Sequence, residues 1–139
     1  MSDLFVRYDQ RPLDDLCNRV CEMDEDILAV TVAEGNEPVG TCLRKGFPIP
    51  AKAGLSTMLM QVEIIFSIVR TAEDFHGRAR YVTLRYDNLD EHILPVDAED
   101  RMMIISTSPN AASAELLRVA DVLAGENRHD NKVHGRRVI

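Results

Sequence analysis

The apolar positions of this chain follow helical and alternating rhythms, and the longest rhythmic stretch runs from Gly54 to His76. Read as one helix at about 100° per residue, it sets Leu55, Met58, Leu59, Val62, Ile65, Phe66 and Val69 on one face. Met60, Ile64 and Ile68 fall on the opposite face. Ser56, Glu63 and Arg70 form a polar seam between them on one side, and Thr57 and Gln61 on the other. A surface helix of a small domain has one apolar stripe and a wet back. This pattern predicts a helix covered twice, once by its own sheet and once by something else.

The remaining rhythms are shorter. Residues 1–11 read as a flexible lead-in. Leu13, Leu16, Cys17, Val20 and Cys21 recur at helical spacing after Pro12, with Asp14 and Asp15 in the first turn, so a helix is expected over 12–23. Asp26 to Ala33 is β-branched and apolar and reads as a strand. Gly35 and Asn36 supply a turn, and Pro38 to Lys45 returns as a second strand. Gly40 within it signals a bulge or the close approach of another backbone. Pro48 and Pro50 make a stiff connection that delays the long helix, which Gly77 ends. Arg80 to Tyr86 alternates, with Val82, Leu84 and Tyr86 on one side and Tyr81, Thr83 and Arg85 on the other. Glu91 to Val96 is a short strand that Pro95 confines to an edge, an end or a bulge. Arg101 to Thr107 is apolar on both faces and is expected at the centre of the sheet. Ser108 as cap and Pro109 as first helical residue predict a last helix ending at Gly125. Residues 126–139 lack an apolar period and read as a basic, flexible tail, with Arg128, Lys132, Arg136 and Arg137.

Size and charge narrow the class. The chain has 139 residues, enough for one domain with a real core. A net charge of -7 and a pI near 5.0 argue against a nucleic-acid partner. The first residues show no basic segment leading into an apolar run, so no signal peptide is expected. Glu63 and Arg70 interrupt the long helix, which is read as too amphipathic for a membrane span. Three cysteines without a secreted pattern point to a reducing, cytoplasmic setting.

Candidate chemistry changes little. Cys17 and Cys21 share a helical face, but that face is the apolar stripe, so both, like Cys42, read as core packing rather than metal or redox ligands. His76 and His92 are isolated, and His129 and His134 lie in the tail. No nucleophile triad, GxSxG, HExxH or phosphate-binding glycine loop is visible. Acid pairs such as Glu73-Asp74 and Glu99-Asp100 fall at element ends, where water solvates them. No catalytic residue, cofactor or metal ligand is therefore assigned, and the chain is not expected to be an enzyme.

The order α-β-β-α-β-β-β-α implies an α+β domain spanning 12–125: a single five-stranded antiparallel sheet with helices packed on it. Leu16-Cys17, Ile27 to Val32, Gly40, the long central helix, Leu94-Pro95-Val96 and Met103 to Ser106 resemble the roadblock / dynein light chain family, within the profilin-like and longin-like architecture. The early Leu16-Cys17 with Ile27-Leu28-Ala29-Val30, and the late Leu94-Pro95 with Ile104-Ile105-Ser106, are more specifically similar to small archaeal proteins. The resemblance implies a homodimer joined through the long helix and an edge strand, here Met60, Ile64 and Ile68 with Tyr81, Thr83 and Arg85. Such dimers serve small GTPases or larger assemblies. The alternative is a small-ligand sensor of profilin-like type, its ligand held between the sheet and the loop at 46–54, which a thermal-shift rise with a metabolite would reveal.

Overall fold

The computed structural model describes residues 5–6, 12–48, 51–96, 101–109, 111 and 113–135. Its elements are β1 (Phe5–Val6), α1 (Asp14–Cys21), β2 (Ile27–Glu34), β3 (Glu37–Arg44), α2 (Lys52–Arg70), α3 (Glu73–His76), β4 (Val82–Arg85), β5 (Asp90–Pro95), β6 (Arg101–Thr107) and α4 (Ser113–Gly135). The five strands expected from alternation all form. They build an antiparallel sheet to which β1 adds a two-residue edge, in the order β1-β3-β2-β6-β5-β4. Pro50 of the expected connection, most of the lead-in and residues 136–139 of the expected tail lie outside the described residues.

Strand alternation sorts the core into two layers. Val30, Val32, Cys42, Leu94, Val96, Met103 and Ile105 meet Leu16, Cys17, Val20 and Cys21 of α1 and Leu116, Leu117 and Ala120 of α4. On the other face, Ala33, Ile93, Met102 and Ile104 meet Leu59, Val62 and Phe66 of α2. β6 lies between β2 and β5 and is buried along nearly its whole length, as its two-sided apolarity predicts.

Gly40 performs both roles read from it. The register steps from Val32 opposite Gly40 to Ala33 opposite Pro38, which leaves Val39 as the extra residue of a bulge. The Val39 carbonyl accepts the Leu13 N–H at 3.1 Å. A Cβ on Gly40 would stand 2.7 Å from the Leu13 carbonyl carbon and oxygen, so only glycine lets α1 start against β3. Asp14 Oδ1 then accepts the Thr41 N–H at 3.0 Å, fixing the first turn of α1 on the same strand.

Several boundaries differ from the sequence reading. The stretch 54–76 is not one helix. The Thr71 N–H bonds the Ile68 carbonyl at 3.1 Å, the Ala72 N–H bonds Val69 at 3.3 Å, and the Thr71 hydroxyl also donates to Ile68 at 2.7 Å. Three-residue spacing tightens and ends α2 there, and α3 follows until Gly77 at φ 85. Ser108 does not cap the last helix. Its N–H and hydroxyl bond the carbonyl and Oδ1 of Asp26 at 3.0 and 2.9 Å, so it ties β6 to the start of β2, and α4 begins at Ser113. Gly125 does not end α4, which continues through Gly135. A glycine inside a helix costs only about 1 kcal/mol relative to alanine, and no proline follows it. Met58 and Tyr86, assigned to dry faces, are exposed.

Candidate interaction surface

The two faces of α2 separate as the periodicity predicts. Leu59, Val62 and Phe66 are buried on the sheet, with Leu55 packed beside them. Met60, Ile64 and Ile68 are 47%, 52% and 65% exposed. At spacings of four residues they form one continuous apolar row. Single exposed apolar side chains are ordinary, but a contiguous row marks a contact surface. A shallow groove runs along it, lined by Glu63, Ile64, Ser67, Ile68 and Thr71. Beyond it, α3 holds Phe75 out at 88% exposure. The loop behind α3 is fixed by the Ala79 N–H donating to Glu73 Oε2 at 2.7 Å.

By length and composition α2 would also suffice to cross a bilayer, with 19 residues and mean hydropathy 1.4. Its buried side chains are committed to the sheet, however, and Glu63 stands on its exposed side. The apolarity of α2 is used for packing on one face and is exposed on the other.

β4 is the edge strand nearest in sequence to this helix. The Tyr86 N–H donates to the Leu89 carbonyl at 2.9 Å and closes the turn to β5. Antiparallel pairs alternate between bonded and non-bonded. Val82 and Leu84 therefore exchange backbone bonds with Ile93 and Glu91, while Thr83 and Arg85 aim their N–H and carbonyl groups at the open edge. Val82 and Leu84 pack toward α2. Tyr81, Thr83 and Arg85 are exposed. The Arg85 guanidinium reaches Asp90 Oδ2 at 3.4 Å, and Asp90 itself is buried.

Two residues of this region escaped the sequence reading. Asp90 precedes the strand expected from Glu91, and His92 reads as isolated. His92 is fully buried, with Nδ1 2.9 Å from Thr83 Oγ1 and Nε2 3.0 Å from Thr107 Oγ1 and 3.5 Å from Ser113 Oγ. Burial holds its pKa below the ordinary value. Asp90 opposes that shift and Arg85 adds to it. The signal was available: His92 alternates in phase with Leu94 and Val96, both core residues. With both nitrogens against hydroxyls and no exposed surface, the ring ties β4, β6 and α4 together rather than meeting a substrate.

The cysteines lie in the core. Cys17, Cys21 and Cys42 are buried, and the Cys21 thiol donates to the Cys42 carbonyl at 3.3 Å. Burial drives the Cys17 pKa far above the usual thiol range, and the contact with Cys42 followed by burial does the same to Cys21. A thiol kept neutral is a poor nucleophile and a poor metal ligand. Among the described residues, no three His, Cys, Asp or Glu side chains gather as a metal site.

No protein-family model and no curated protein sequence matches the chain. Its structure is similar to that of a roadblock/LC7 domain from Streptomyces avermitilis, with a TM-score of 0.65 at 14% identity over 82% of this chain and 92% of that one. MglB from Myxococcus xanthus superposes with a TM-score of 0.66 at 11% identity, over 96% and 99% of the two chains. An MglB described in a tetrameric arrangement gives 0.61 at 8% identity over 91% and 98%. At these identities the likeness establishes the fold, and the domain is roadblock-like.

Proposed function

We propose that this chain is a non-enzymatic, cytoplasmic homodimer that acts as a scaffold or regulator of a protein partner. Its contact surface is the outward row of α2 together with the β4 edge. The observation that carries the reading is the exposure of Met60, Ile64 and Ile68 on a helix whose other face is already used by the sheet. Leaving such a row in water forgoes about 25 cal/mol for each Å² of apolar surface that a partner would cover. A two-fold interface brings one patch against its own copy, and an apolar row needs no matched charge to fit itself. The tetrameric arrangement described for an MglB supports self-association in this fold. A small GTPase, or a larger assembly, is the partner such a dimer would serve.

Sedimentation velocity of the wild type and of Ile64→Glu tests the reading. Ile64 is half in water in the single chain, so the variant folds, and the charge is costly only where a second protein would bury it. The expected result is a wild-type dimer and a folded Ile64→Glu monomer. A wild type that sediments as a monomer at all accessible concentrations, or a variant that remains dimeric, refutes it.

A further inference from the structure

We infer that the tip formed by α3 and the segment after it docks on an anionic phospholipid surface, with the Phe75 ring entering the bilayer interface and Arg78 and Arg80 meeting lipid headgroups. The inference goes beyond the contact surface proposed above. It uses neither the outward row of α2 nor the β4 edge, and it stands whether or not two copies associate.

The tip is a bonded structure. The Phe75 and His76 N–H groups donate to the Ala72 carbonyl at 3.1 and 2.9 Å, and the Gly77 N–H donates to Glu73 at 2.9 Å. Gly77 then turns the chain at φ 85, a conformation that favours glycine. Glu73 Oε2 accepts the Ala79 N–H at 2.7 Å, which draws the outgoing segment back against α3. Ala79 packs on the α2 layer of the core, and Arg78 and Arg80 on either side of it stand in water. Phe75 is thereby held out at 88% exposure, against 65% for Ile68, the next most exposed large apolar side chain among the described residues.

Shape and charge select the occupant. A ring so exposed has little protein around it and stands on a convexity. Pockets for small ligands are concave, whereas the headgroup region of a bilayer accommodates a protruding aromatic side chain. From Phe75 to Tyr86 the chain carries Arg78, Arg80 and Arg85 and no acid, although the whole chain has a net charge of -7. Of the two acids just before this run, Glu73 is bonded to the Ala79 N–H, and Asp74 is exposed. Arg70 lies 5.0 Å over the Phe66 ring and is already engaged there. An anionic surface attracts this end and repels the acidic remainder, so the asymmetry turns the tip toward the surface. Salt limits such effects to about 10 Å at 0.1 M, so arginines beside an inserted ring outweigh acids elsewhere on the body. The guanidinium fork also matches the oxygens of a lipid phosphate.

The chain contains no tryptophan, so Phe75→Trp in the full chain places a single fluorescent reporter at the tip. Titrated with vesicles of phosphatidylserine and phosphatidylcholine in equal parts, its emission is expected to shift to the blue and to be quenched by brominated acyl chains. Pure phosphatidylcholine vesicles are expected to bind about twentyfold more weakly, since each arginine near an anionic surface is worth about fivefold. In vesicle co-sedimentation, Phe75→Ala is expected to lose about tenfold in affinity, Arg78→Gln/Arg80→Gln about twentyfold, and Asp74→Asn to gain affinity. All four side chains stand in water, so the variants fold, and urea denaturation checks this. An unshifted emission with vesicles, or vesicle binding that the double arginine variant leaves unchanged, overturns the inference. So does a blue shift produced by polyglutamate or a single-stranded oligonucleotide but not by vesicles, which would give the tip a protein or nucleic-acid partner. Ile64→Glu in the Phe75→Trp background separates this reading from the dimer. It is expected to keep the shift, and losing it overturns the tip as a site of its own. A monomeric wild type refutes the dimer and leaves the tip standing.

Discussion

The sharpest quantitative consequence concerns Ile64. Fully burying an isoleucine side chain is worth about 1.5–3 kcal/mol. In the single chain Ile64 is 52% exposed, so about half of that remains to be gained at an interface. A two-fold contact counts the residue twice, so Ile64→Ala should cost the dimer about 1.5–3 kcal/mol, roughly a ten- to hundredfold rise in Kd. Ile64→Glu adds the desolvation of two unpaired carboxylates and should abolish dimerisation at micromolar concentration. The same substitutions should barely touch the fold of the monomer, since surface changes stay within about 0.5 kcal/mol. Phe66, two residues further along and 2% exposed, is the internal control. Phe66→Ala should cost about 3–5 kcal/mol in urea unfolding, through lost burial and a cavity against the sheet. Sedimentation equilibrium gives Kd and urea denaturation gives stability for the same three variants. Ile64→Ala and Ile64→Glu with wild-type Kd would refute the outward-face assignment. So would an Ile64→Glu chain that unfolds, because the residue would then be packing inside the monomer.

The other predictions concern what holds the surface in place. Gly40→Ala should destabilise the fold by about 1–3 kcal/mol, because the added Cβ meets the Leu13 backbone at 2.7 Å and α1 must shift; unchanged urea curves would show that α1 does not seat on the bulge. Stability should fall on acidification below the ordinary histidine pKa of 6.5, because buried His92 is held neutral in the fold while the unfolded chain takes up the proton. That contribution is present above 6.5 and is lost as pH falls through the lower folded value, so the slope should flatten in His92→Gln. Glu91 acts with the opposite sign: burial raises its pKa above the ordinary 4.5, so its contribution is present below that value and lost as pH rises through the folded one. Urea titrations of wild type and Glu91→Gln across that window separate the two.

Periodicity made much of this molecule legible, because it reports which side of an element is dry. It placed the five principal strands, the first helix, the cysteines in the core and the outward row of Met60, Ile64 and Ile68. Gly40 was legible for a different reason: a glycine in an otherwise β-branched hairpin implies a backbone nearby, and Leu13 occupies that space. Periodicity overreached where local amphipathicity continued past a change in hydrogen bonding. The apolar rhythm through Thr71 hid the break between α2 and α3. It also assigned Met58 to the sheet face, where Met58 is 43% exposed.

What the amino-acid order determined alone, then, was the type of each element and the division of α2 into two faces, since both are properties of a single segment. Tertiary structure decided the partners of the polar groups. His92 is satisfied only because strand order places β6 and β4 on either side of β5, bringing Thr107 and Thr83 to its two nitrogens. Ser108 could have capped a helix, but β6 lies against β2 and delivers it to Asp26 instead. A hydrogen-bonding group finds its partner through the whole fold, whereas an apolar stripe needs only the local turn of the chain.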